Sequence, residues 1–102
     1  MIVLLFFKLL IGHALADYAL QPMVMIIGKN RHRSMEGVPW YYWMTAHALI
    51  NSGAVWFITQ SLWFGLAELI LHWMIDFVKC EKWINAITDQ WLHVACKLAY
   101  VL

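Results

Sequence analysis

The chain has 102 residues, of which 64% are hydrophobic and only 13% charged, with a net charge of +1 and a mean hydropathy of +0.67. Soluble domains carry about 45–50% apolar and about 25% charged residues, and a chain this short cannot hide the excess inside itself. Composition therefore excludes disorder, the near-zero charge excludes a basic nucleic-acid surface, and a polytopic membrane protein is expected.

The first apolar segment starts at Met1 and runs to Gln21, where Pro22 ends or bends it. Ala14-Leu15-Ala16 has the look of a signal-peptide cleavage box. No basic residue precedes the apolar core, however, and Lys8 interrupts it, so a retained span is expected. Met23 to Ile27 continues as a bent or interfacial extension. A basic loop follows, holding Lys29, Arg31 and Arg33, and Trp40-Tyr41-Tyr42-Trp43 forms an aromatic cluster suited to headgroup level. The second segment carries His47 and Asn51, and an uncharged turn at Thr59-Gln60-Ser61 separates it from the third. The third segment holds Glu68, His72 and Asp76, and Lys79 and Lys82 lie in the turn after it. The fourth carries Asn85, Asp89, His93 and Lys97 at four-residue spacing. Cys80 and Cys96 have neither C-x-x-C nor zinc-finger spacing and read as reduced, small apolar fillers.

The expectation is an all-α polytopic membrane protein: one four-helix transmembrane bundle over 1–102, with spans at about 1–21, 40–59, 62–78 and 84–102 and a basic loop at 28–39. Lysines and arginines occupy the loops after segments one and three and are missing between segments two and three. The positive-inside rule then puts those two loops in the cytoplasm and both termini on the other side.

Three pairs repeat one spacing: His13 with Asp17, His72 with Asp76, and Asp89 with His93. Four residues make about one helical turn, so each pair shares a helix face. With a rise of about 1.5 Å per residue, Asp17, His47, Asp76 and Asp89 all lie within about 10 Å of the cytoplasmic ends of their segments. Ionisable groups at that depth need a partner, an ion or a cavity. Bundles build metal centres from such inward-facing side chains. His13, Asp17, His47, His72, Asp76, Asp89 and His93 are the candidate ligands, for one or two divalent metals, zinc first and manganese or iron(II) next. Asp76 and Asp89 are the candidate catalytic carboxylates, and Gln21 and Gln90 the candidates for orienting substrate or water. Glu68 belongs equally well to the cluster or to a helix contact, Lys97 reads as snorkelling to the far interface, and Lys8 as structural. A lone membrane histidine is more often a packing residue; three pairs at one depth favour a functional cluster.

The motifs His13-Ala-Leu-Ala-Asp17-Tyr-Ala-Leu-Gln21, His47-Ala-Leu-Ile, His72-Trp-Met-Ile-Asp76-Phe-Val-Lys79 and Asp89-Gln90-Trp-Leu-His93, with Lys29 between the first two, follow one order along nearly the whole chain. In this the chain resembles the family of small bacterial and phage integral membrane proteins known as domain of unknown function 3307. It departs at Pro22, directly after Gln21, and at Asn51, where a second histidine would complete a ligand pair. The resemblance implies a bacterial inner-membrane location, for which the side that the positive-inside rule gives the termini is the periplasm, and the phage members imply action at a host inner membrane.

The favoured function is a metal-dependent hydrolase acting on a phosphorylated lipid or similar membrane substrate, with membrane lipids as partners and no nucleic acid. One alternative is an ion or proton transporter using the same groups, which predicts a homo-oligomer or a pore. Another is a non-enzymatic, phage-type membrane protein that does not need the cluster.

Overall fold

The computed structural model describes residues 1–33 and 37–102 and is all-α. Positions 34–36 of the expected basic loop lie outside the described residues. Helix α1 (Ile2–Ala14) passes into a single π-helical turn (Leu15–Ala19), closed by the Leu20 amide donating to the Leu15 carbonyl at 2.9 Å. Pro22 is extended, with φ −67° and ψ 161°, and the short α2 (Met23–Gly28) restarts after it. A 3-10 turn (Arg31–Arg33) follows.

Pro39 precedes α3 (Trp40–Thr59), which stops where Gln60 takes a left-handed conformation with φ 61°. Ser61 then caps α4 (Leu62–Cys80) by accepting the Phe64 amide. Asn85 caps α5 (Ala86–Val101), its side-chain oxygen accepting the Thr88 amide at 2.7 Å. Cys80 ends α4, Cys96 sits inside α5, and both are free thiols.

The hairpin α3–α4 is the largest packing unit; α1 packs on α3 and α5, and α5 closes the ring against α4. Small residues allow the close approaches. A Cβ on Gly65 would come within 2.8 Å of Trp56 Cβ, and one on Gly12 within 2.6 Å of Ile58. Where α3 and α4 touch, Ser52 Oγ donates to the Gly65 carbonyl at 2.6 Å.

Burial is inverted relative to a water-soluble bundle. Among the described residues, eleven buried side chains are polar or charged and eight are apolar, while thirty large apolar side chains stand exposed. The apolar cluster of Leu9, Val55, Tyr100 and Val101 fills the end away from the basic loop. The polar groups fill the rest of the interior.

The expectation of four membrane-crossing helices resolves into a coarser finding. Among the described residues, one helical stretch, Ile2–Ala19, is long and apolar enough to cross a membrane by length and composition, with a mean hydropathy of 1.7. A signal sequence or a core helix meets the same measure, and 22% of the stretch is buried. α4 falls short because averaged hydropathy counts Glu68, His72 and Asp76 whichever way they point, and all three point inward. α5 has 16 residues and buries Asp89, His93 and Lys97.

Candidate functional site

Each helix delivers a polar stripe to the bundle axis. α4 contributes Glu68, His72 and Asp76, one turn apart, and α5 contributes Asp89, His93 and Lys97 in the same way. α3 adds His47 and Asn51. α1 adds His13, and the π-helical turn adds Asp17. A π turn inserts one residue into the helical repeat and is often found at functional sites. In this turn it carries the most heavily contacted carboxylate of the interior.

Asp17 stands at the centre. Its Oδ1 lies 2.8 Å from His47 Nε2 and 3.5 Å from His72 Nε2. Its Oδ2 accepts from Gln90 Nε2 at 2.9 Å and lies 3.7 Å from His13 Nε2. Gln90 ties this group to its neighbours: its Oε1 meets His13 Nε2 at 3.0 Å, and its Nε2 also reaches Asp89 Oδ2 at 3.1 Å. The rings of His72 and His93 stack at 4.0 Å, with His47 4.9 Å from His72 and His13 5.3 Å from His93. All seven candidate ligands are buried, at 6% exposure or less.

Two lysines close the ends of this network. At the loop end Lys29 Nζ donates to Asp76 Oδ2 at 2.6 Å and to Gln21 Oε1, while Gln21 Nε2 donates to the Asp17 carbonyl at 2.7 Å. Lys79 leans in, 3.4 Å from Asp76 and 3.9 Å from Asp89. At the other end Lys97 Nζ donates to Glu68 Oε2 at 2.7 Å, Tyr100 OH donates to Glu68 Oε1 at 3.0 Å, and His72 Nδ1 lies 3.0 Å from Oε2. Lys97 therefore does not snorkel: it is 1% exposed and its charge is directed at Glu68.

The outer rim of the loop end carries a separate ion cluster. Arg31 donates to Glu81 through Nε and through Nη2, and His32 Nε2 lies 2.8 Å from Glu81 Oε2. These contacts hold the Glu81 carboxyl down, at about 2.

Among the described residues, three overlapping sets of donor atoms, each within 4.8 Å of one another, could hold a cation: Asp17, His47 and His72; Asp17, Asp89 and His93; and Glu68, His72 and His93. Asp76 is in none of them and faces Lys29. His13 is also outside them, beside Gln90. Several interior atoms have no hydrogen-bond partner among the described residues, including His72 Nε2, both nitrogens of His93 and Asp89 Oδ1. Sequence reasoning did not place Lys29, Lys97 and Tyr100 in the interior. The signal it could have used for Lys97 is the unbroken Asp89–His93–Lys97 spacing.

A family model described as a protein of unknown function, DUF3307, matches residues 5–102. No curated protein and no solved structure matches the chain. With 5–102 of 102 residues matched, the chain belongs to the DUF3307 family.

Proposed function

We propose that this chain is an integral membrane bundle whose interior binds a divalent cation and hydrolyses a phosphoester of a membrane lipid. The observation that carries the reading is the Asp17–His47–His72 set, a buried carboxylate flanked by two imidazoles from two other helices, with donor atoms within 4.8 Å.

Charge supports a cation there. The interior holds Asp17, Glu68, Asp76 and Asp89 against Lys29 and Lys97, with Lys79 at the rim. Counting the histidines as neutral, the four carboxylates exceed the three ammonium groups by one. An uncompensated buried charge is costly. One imidazolium would balance it, but one proton cannot engage His72 Nε2, Asp89 Oδ1 and both nitrogens of His93 at once. A multiply coordinated cation engages several of these atoms together. Glu68 on His72 Nδ1 is the kind of carboxylate that orients a metal-binding imidazole and leaves Nε2 free for the ion. The donors are nitrogen and oxygen, which suits zinc, manganese or iron(II).

The exterior supports lipid as the surroundings. The apolar residues face outward on every helix, and the longest dimension, 46 Å, is close to the thickness of a bilayer with its headgroups, about 40–45 Å. A bacterial inner membrane with both termini periplasmic, following the placement of Lys29, Arg31, Arg33, Lys79 and Lys82, belongs to this proposal.

A bound divalent cation would polarise the phosphoryl group and ease deprotonation of a water. Asp89, buried beside these donors, would take the proton of the attacking water on the carboxylate oxygen that a cation leaves free. The water oxygen bonds to phosphorus, the ester P–O bond breaks, and the proton passes from Asp89 to the departing alkoxide. Gln90 holds the carboxylates of Asp17 and Asp89 in register. Asp76, neutralised by Lys29, fixes the field and not the proton.

The test is elemental analysis of detergent-purified protein, wild type beside His72→Ala, followed by release of inorganic phosphate from vesicles containing phosphatidic acid or a polyprenyl phosphate. At least one equivalent of metal and metal-dependent phosphate release, both lost in the variant, are expected. A folded wild-type protein that takes up none of the three ions overturns the reading. Metal uptake with no phosphate release from either lipid overturns the hydrolase part, and proton flux into liposomes would then put the transport reading in its place.

A further inference from the structure

We infer that the centre is dinuclear and that Asp17 is its bridging carboxylate. The inference rests on the metal reading above and deepens it. Asp17 is the residue shared by the set with His47 and His72 and the set with Asp89 and His93. Its two oxygens already face different partners. Oδ1 looks toward His47 at 2.8 Å and His72 at 3.5 Å. Oδ2 looks toward α5, where Gln90 Nε2 lies at 2.9 Å. One carboxylate thus presents one oxygen to each half-site, the arrangement that lets a single side chain serve two ions.

The second half-site has its own unpartnered donors. His93 is 1% exposed, and neither of its ring nitrogens makes a hydrogen bond among the described residues. Asp89 Oδ1 lies 3.3 Å from His93 Nε2 without bonding geometry and is likewise unpartnered there. Leaving such groups unsatisfied in the interior costs the full desolvation of each. A cation held by Asp17, Asp89 and His93 would engage Asp89 and one of the two His93 nitrogens. In the first half-site His72 Nε2 is unpartnered in the same way.

The third donor set competes less well. Glu68 already accepts from Lys97 at 2.7 Å and Tyr100 at 3.0 Å, so its carboxylate is committed. The 4.0 Å stack of His72 on His93 joins the two half-sites. Three protein donors per ion leave open coordination positions, as catalytic sites do. Two ions on one phosphate stabilise the attacking and the leaving oxygen together.

The measurement is manganese(II) titration of the full-length protein in detergent, read by bound metal per chain and by electron paramagnetic resonance. Two ions per chain with an exchange-coupled spectrum are expected. His93→Ala and His47→Ala should each reduce two ions to one and leave an uncoupled six-line signal. The wild-type titration decides the matter even where a variant fails to fold. Saturation at one ion, or two ions with no coupling, overturns the bridged dinuclear centre and leaves the metal reading standing. No bound ion in folded wild type overturns both.

Discussion

Lys97 and Glu68 meet 2.7 Å apart with both side chains 1% exposed. Such a pair is stable mainly in the sense that neither member can be removed alone, because the survivor stays buried and charged. Lys97→Met should lower the unfolding free energy in detergent by about 3–5 kcal/mol, and the double variant Lys97→Met/Glu68→Leu should recover most of the loss. A double variant no more stable than the single would refute the pairing. Glu81 behaves differently because it sits at the rim. Its carboxyl, ordinarily near 4.5, is held at about 2 by Arg31 and His32. A depressed carboxylate contributes stability that is fully present above its unfolded value and is lost as pH falls through the folded one. Stability should therefore decline between about pH 4.5 and pH 2 through this group, and Glu81→Gln should flatten that part of the unfolding curve.

Among the elements, α3 and α4 depend on the absence of a side chain at Gly65. A Cβ there meets Trp56 Cβ at 2.8 Å and the Ser52 carbonyl at 3.3 Å, so the neighbours are a side-chain root and backbone, neither of which can swing away. Gly65→Val should cost about 1–3 kcal/mol by overpacking. A methyl group at Gly53, in the same helix pair, would meet nothing within 4 Å. Gly53→Ala should instead stabilise by about 0.5–1 kcal/mol, since alanine loses less entropy in a helix. Thermal or denaturant unfolding of the two variants side by side checks both signs. The π-helical turn is the other element with a clear consequence. It carries Asp17 at the point where α1 meets α3 and α5, so the carboxylate can reach His47 on one and Gln90 on the other.

For the whole molecule, the inverted burial sets the expected environment. The thirty large apolar side chains exposed among the described residues would drive aggregation in water, whereas in lipid they are already solvated. The turn at Gln60 and the loop end at Arg33 lie at opposite ends of the α3–α4 hairpin. Single cysteines at Gln60 and Arg33, in a chain with Cys80 and Cys96 replaced by serine, should react with an impermeant maleimide from opposite sides of the membrane. Labelling from the same side would sink the spanning arrangement.

What the sequence determined by itself was local. The 3.6-residue period put Glu68, His72 and Asp76 on one face of a helix, and Asp89, His93 and Lys97 on another, because spacing along a helix sets direction regardless of what lies opposite. Composition announced an apolar exterior, and Pro22 and Gln60-Ser61 marked helix ends through backbone chemistry readable in place, whereas Asn85, read as part of the fourth polar stripe, caps the helix instead. The apolar segments and the loops between them set an expectation of four spans, and by averaged hydropathy, which cannot say which way a polar residue points, only Ile2–Ala19 meets it among the described residues. Pairing was decided by the tertiary structure. Lys29 finds Asp76 across 47 residues, Lys97 finds Glu68 across 29, and Gln90 reaches Asp17 across 73. A buried charge is stabilised by whichever opposite charge packing brings within about 3 Å, and no periodicity along one helix records its neighbour on another.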